Sequence, residues 1–184
     1  MGQTVHLIRH GQSTYNAACA VSPWSPPLIY DAPLSPRGVG EVAALRGKVA
    51  GLGVEAVVTS PLTRAVQTAL GAFGDSGVPI LVNALARECL EASGDVGRPP
   101  GVLAAEFPML RFDHLDDPWW HTAGGDPLAV CLEPEATLRA RIDAFLAWLL
   151  TQPFRTLAVI GHGTFFNHLT GIRLDNCGMT TIRL

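Results

Sequence analysis

Short β-branched apolar runs alternate along this chain with longer segments of helical periodicity, and that alternation leaves few architectures open. The runs at 4–9 (TVHLIR), 54–59 (VEAVVT), 79–82 (PILV) and 156–160 (TLAVI) are too short for buried helices and read as strands. A last strand is expected at 179–183. Between them, Val39, Val42, Leu45, Val49 and Leu52 recur at helical spacing over 36–51, behind Ser35-Pro36, a cap followed by a first-turn proline. Ser60-Pro61 repeats that signal and predicts a helix over 61–73. Further helices are expected at 135–151, with Leu138, Ile142, Phe145, Leu146 and Leu149 on one stripe, and at 163–171. Residues 12–36 read as a long loop with one short helix, 84–88 as a short extended segment, and 91–134 as an irregular insertion with short helices near 101–106. Strands alternating with helices predict an α/β fold with a mostly parallel sheet. No long linker separates two cores, so residues 1–184 are read as one domain carrying a cap-like insertion at about 91–134.

Composition narrows the function. Hydrophobic residues make up 48% of the 184 and charged residues 16%, which argues against disorder. The net charge of -3, with no basic cluster, supplies no field for nucleic acid. Any anion site must therefore be a local arrangement of a few arginines. Cys19, Cys89, Cys131 and Cys177 match no zinc or CxxC spacing and read as free thiols. Gln3, Thr4, His6 and Arg9 interrupt the region where a signal peptide would be apolar, and no run approaches membrane-span length. The expectation is a cytoplasmic protein with no membrane and no nucleic-acid partner.

In open α/β sheets ligands bind beyond the carboxyl ends of the strands. Arg9 and His10 end the first strand, Arg64 lies in the first turn of the helix after the second, Glu88 follows the third, and His162 ends the late strand. Singly, each is unremarkable: a strand-end histidine is more often structural, and a first-turn arginine opposes the helix dipole. A phosphate bound at that helix N-terminus would reverse the penalty. Two arginines can grip phosphate oxygens through their planar forks, and glycine at 11 and 163 lets backbone approach a ligand. A neutral imidazole is a competent nucleophile toward phosphorus, and Glu88 could protonate the leaving oxygen and then activate water. The histidines and Glu88 could also compose a metal site, but the arginines would repel a divalent cation and no short ligand spacing is present. No metal is expected.

Leu7-Ile8-Arg9-His10-Gly11-Gln12-Ser13 with Asn16 resembles the RHG signature of the histidine phosphatase superfamily, also called phosphoglycerate mutase-like. The resemblance continues in Thr59-Ser60-Pro61-Leu62-Thr63-Arg64-Ala65-Val66-Gln67-Thr68-Ala69, at Arg87-Glu88 and at Gly161-His162-Gly163, in the same order and spacing. It implies a three-layer α/β/α sandwich and no metal or organic cofactor. It implies that His10 takes the phosphoryl group, that Arg9, Arg64 and His162 form the phosphate pocket with it, and that Glu88 is the general acid/base. Asn16 and Gly163 are implied as further contacts to the phosphate, and on the residues alone the amides around Gly11 are expected to join them.

Gln12 departs from the Glu common after RHG, at a variable position beside the site. Asp95, Arg98, Phe107-Pro108, Phe112, Asp116-Asp117 and Trp119-Trp120 look like a branch of small phosphatases in that superfamily. There Arg98 is either a second anion contact or a partner of Asp95, and the tryptophans either cover the sheet edge or stack on substrate. His6 reads as structural, and His114, His121 and His168 have no nameable partner. The expected activity is hydrolysis of a small phosphorylated metabolite, releasing inorganic phosphate. The alternatives are a phosphoglycerate-type mutase, which the compact insertion disfavours, and a non-catalytic phospho-ligand module, which would not need both His10 and Glu88. The substrate and the oligomeric state are not readable from the sequence.

Overall fold

The computed structural model describes residues 2–184. The strands are β1 (Thr4–Arg9), β2 (Ala56–Thr59), β3 (Ile80–Val82), β4 (Thr156–Gly161) and β5 (Met179–Arg183). The helices are α1 (Thr14–Val21), α2 (Pro36–Val49), α3 (Thr63–Phe73), α4 (Pro100–Glu106), α5 (Glu135–Leu150) and α6 (Gly163–Thr170). The strands form one sheet in the order β3-β2-β4-β1-β5. The first four run parallel, and β5 closes the edge antiparallel to β1.

The period-two alternation of β1 divides its side chains between two cores. Val5 and Leu7 pack on one face with Phe145 and Leu149 of α5 and Phe165 and Phe166 of α6. Ile8 packs on the other with Val42, Leu45 and Val49 of α2 and Ala65, Ala69 and Phe73 of α3. The result is helices on both faces of a mostly parallel sheet. His6 is structural: its Nδ1 lies 2.9 Å from Thr181 Oγ1 on β5.

The insertion makes a third core. Leu103, Phe107, Phe112, Trp119 and Trp120 pack with Leu62, Val66 and Val82. The two indoles meet edge to face at 5.4 Å, and each N–H is satisfied by a carbonyl, Arg98 O at 2.9 Å and Pro127 O at 2.8 Å. The tryptophans are therefore packing residues. His114 also has a partner, Val82 O at 2.9 Å from its Nε2.

Several local expectations are corrected. Ser35 does cap α2, accepting from Gly38 N, but Ser60 does not cap α3, which starts at Thr63. Its first amide is instead bound from across the chain: Thr63 N donates to Asp31 Oδ1 at 2.7 Å. Residues 84–86 form a 3-10 turn, not an extended segment, because the Asn83 side chain accepts from Leu85 N and turns the chain. Val39 leaves the apolar stripe of α2 and is 59% exposed, since it lies before the stretch of helix that meets the sheet.

Candidate active site

β1 and β4 are neighbours in register, with Arg9 opposite Gly161, so His10 and His162 leave the sheet side by side. Their ring centroids are 5.1 Å apart. His10 Nδ1 lies 2.6 Å from Gly11 O, so that nitrogen carries the hydrogen. Nε2 is then the lone-pair nitrogen, and it accepts from Arg64 Nε at 3.2 Å. Burial first, then the charges of Arg64 and Arg9, hold the His10 imidazole well below its ordinary pKa. The ring is a neutral imidazole with its tautomer fixed.

Arg64, in the first turn of α3, spends its fork on the insertion. Nη1 donates to Gly94 O at 2.5 Å and Nη2 to Asp95 Oδ1 at 2.9 Å. Arg9, at the end of β1, donates from Nη1 to Leu174 O at 2.8 Å, while its buried Nε has no partner among the described residues. Its guanidinium packs on Gly163, where a Cβ would stand 3.3 Å from Arg9 Nε. Glu88 sits at the N-terminus of α6: Oε1 accepts from Phe165 N (2.8 Å) and Cys89 N (2.9 Å), and Oε2 from Thr164 N (3.0 Å). Those amides and Arg64 favour the carboxylate, yet burial, followed by the charge of Asp95, pushes its pKa up to about 7.

Arg9, His10, Asn16, Arg64, Glu88 and Gly163 open onto one cavity of about 500 Å³. The Asn16 carboxamide oxygen accepts from Ser13 N in the capping box of α1, which leaves its NH2 group as the donor for a ligand. His162 is brought to the site but is fully buried beside His10, and neither ring nitrogen has a partner among the described residues. Unpaired buried nitrogens are costly in a residue that only packs.

Two expectations fail. Gly11 does not serve the cavity: its N–H donates to Thr68 Oγ1 at 3.1 Å, and a Cβ there would meet Gly38 O at 2.9 Å. The glycine lets β1 pass close to α2. Arg98 pairs with Asp31 (2.6 Å) and Glu106 (2.7 Å), not with Asp95, and does not line the cavity. Asp95 does line it, together with Tyr15, Thr164, Asn167, His168 and Arg173. Helical arithmetic from Gly163 and Thr164 would have found Asn167 and His168, each four residues further along α6. Arg173 follows the left-handed Gly171 that ends α6, where no periodicity points to a site. Among the described residues, no group of three or more His, Cys, Asp or Glu is placed to hold a metal ion.

A family model described as "Histidine phosphatase superfamily (branch 1)" matches residues 5–180. A phosphoglycerate mutase-like protein of Arabidopsis thaliana is 27% identical, across 91% of this chain and 73% of its own. A 2,3-bisphosphoglycerate-dependent phosphoglycerate mutase of Gloeobacter violaceus is 31% identical across 73% of this chain and 47% of its own. Among solved structures, the alpha-ribazole phosphatase of Shigella flexneri superposes with a TM-score of 0.66 at 18% identity, covering 98% of this chain and 90% of that one. A mycobacterial glucosyl-3-phosphoglycerate phosphatase does so with a TM-score of 0.64 at 18% identity, covering 100% and 91%. At such identities the superpositions speak for the fold.

Proposed function

The chain belongs to the histidine phosphatase superfamily, branch 1, and from that premise we propose that it hydrolyses a small phosphomonoester through a phosphohistidine at His10. The observation that carries the reading is the state of His10: a neutral ring, its Nδ1–H held by Gly11 O, its Nε2 lone pair beside Arg64. In the resting site Arg64 Nε–H occupies that lone pair. A phosphoryl oxygen entering between Arg9 and Arg64 takes over the N–H and frees Nε2 for in-line attack on phosphorus. The P–O bond to the leaving group breaks as the N–P bond forms, and Glu88 gives its proton to the departing oxygen. Glu88, now a carboxylate, removes a proton from water. The hydroxide attacks phosphorus, the N–P bond breaks, and His10 returns neutral with inorganic phosphate released. The arginines and the unpartnered ring of His162 hold the equatorial oxygens throughout.

The polar wall formed by Tyr15, Asn16, Thr164, Asn167 and Arg173 suits a small hydrophilic leaving group. Solved neighbours whose names specify phosphatases of ribazole and glucosyl-phosphoglycerate phosphates support that class. The mutase relatives favour a second reading, in which the phosphoryl group returns to substrate instead of passing to water. A phosphate-release screen over phosphorylated metabolites and 4-nitrophenyl phosphate tests both. Phosphate release that His10→Ala abolishes supports hydrolysis. Isomerisation of a phosphoglycerate without net release would establish the mutase, and release unchanged in His10→Ala would sink both.

A further inference from the structure

A second part-buried carboxylate, Asp95, faces the cavity that holds Glu88, and the two-step reaction above gives it no task. Asp95 closes the 3-10 turn Ser93–Asp95. Its Oδ2 accepts from the amides of Ala92 (3.1 Å) and Glu91 (3.3 Å), and its Oδ1 pairs with Arg64 Nη2 at 2.9 Å. Burial pushes the Asp95 carboxyl above the ordinary carboxylate range, while the Arg64 cation and the two amides act against that shift and fix where the charge sits when it forms. Glu88 also accepts amides, but among the described residues it makes no ion pair. Of the two carboxylates near Arg64, only Asp95 is paired with it, and two part-buried carboxylates at one site do not both ionise readily.

Resting on the phosphatase reading, we infer that Asp95 is a positioning residue for the proton donor: a fixed anion that keeps the transferable proton on Glu88 while clamping Arg64 against His10. The clamp is geometric. Gly94 O and Asp95 Oδ1 take the two ends of the Arg64 fork, which aims its Nε at His10 Nε2. The charge balance around Glu88 leaves the other task to Asp95. The groups near Glu88 are Arg9 on β1, Arg64 on α3, Arg141 on α5, the neutral His10 and His162, His168 on α6, Cys89, and the acidic pair Glu91 and Asp95. The arginines pull Glu88 toward ionisation. Burial opposes them first and the Asp95 charge second. Glu91 is directed elsewhere, its Oε2 accepting from Thr164 Oγ1 at 3.2 Å.

The test compares Asp95→Asn with the parent protein on two substrates across pH. 4-Nitrophenyl phosphate has a leaving group that needs little protonation, whereas glycerol 2-phosphate has one that needs a proton. The parent should lose kcat/KM on glycerol 2-phosphate as pH rises through about 7, where Glu88 gives up its proton. In Asp95→Asn that basic limb should move to lower pH. At pH 7 the variant should lose about tenfold or more on glycerol 2-phosphate, and several-fold less on the aryl ester. Asp95→Glu, which keeps the charge, should restore the limb; Asp95→Ser is the second neutral variant if the Asn form does not fold. An unmoved limb, equal losses on both substrates, or a parent limb in the ordinary carboxylate range overturns the role of Asp95. His10→Ala, run alongside, separates the two claims: if it still turns over either ester, the phosphatase reading itself fails.

Discussion

At the scale of single residues, the proposed chemistry makes opposite demands on two side chains. His10 must be neutral to attack, and Glu88 must be protonated to release the leaving group. Burial serves both, because it disfavours the imidazolium and the carboxylate alike. Arg64 and Arg9 lower His10 further, so the nucleophile survives as pH falls below the ordinary histidine range. Glu88, raised to about 7, keeps its proton up to that pH and loses it above. Turnover of an alkyl phosphate should therefore be greatest on the acid side of pH 7 and decline about tenfold per pH unit above it. A pH–rate profile that climbs through pH 8 would contradict this pairing. Arg9, His10, Arg64 and Gly163 could be placed at one sheet edge from the sequence because each ends or directly follows a strand or lies in the first turn of a helix, whereas Glu88 lies beyond the 3-10 turn Ala84–Ala86 that follows β3. Gly11 was misread: a glycine after a strand serves a ligand or a crossing backbone equally well, and here Gly38 O and Val42 crowd it. The partner of Arg64 was illegible, since it comes from an irregular turn with no period to place it.

At the scale of elements, the precision of Arg64 depends on how α3 begins. The Ser60-Pro61 pair suggested a local cap, yet the first amide of the helix is bound by Asp31, from the long loop before α2. Asp31 also accepts from Thr63 Oγ1 and pairs with Arg98 at 2.6 Å. It sits at φ 40°, a left-handed conformation that Asp tolerates better than most residues. One buried carboxylate thus ties the loop, the insertion and the helix that carries Arg64. Asp31→Ala should cost about 1–3 kcal/mol in urea unfolding, from an orphaned helix amide and the loss of one of the two carboxylate partners of Arg98, which keeps Glu106. It should also raise KM for an aryl phosphate, because Arg64 lies in the next position of the same turn. Unchanged stability with unchanged KM would remove Asp31 from this account. Element positions were readable because period and length identify strands and helices locally. The cap was not, because nothing in the sequence near residue 60 points to residue 31.

At the scale of the whole molecule, the strand order builds the candidate site. β4 inserts between β2 and β1, which sets the ends of the two histidine-bearing strands side by side although they lie far apart in sequence. A mostly parallel sheet could be inferred from the alternation of strands and helices; the order of its strands and the antiparallel edge at β5 could not, since period says nothing about pairing. The insertion covers the β3 side with its own apolar core and delivers Asp95 to the cavity, so the site is complete only in the assembled chain. The central claim is that the phosphoryl group rests on His10 between two steps. Rapid alkaline quenching of the protein during turnover of a phosphate-labelled substrate tests it directly. The account predicts a protein-bound label that survives base, is lost in acid and is absent from His10→Ala. No bound label during steady turnover, or a label that persists in acid, would contradict it.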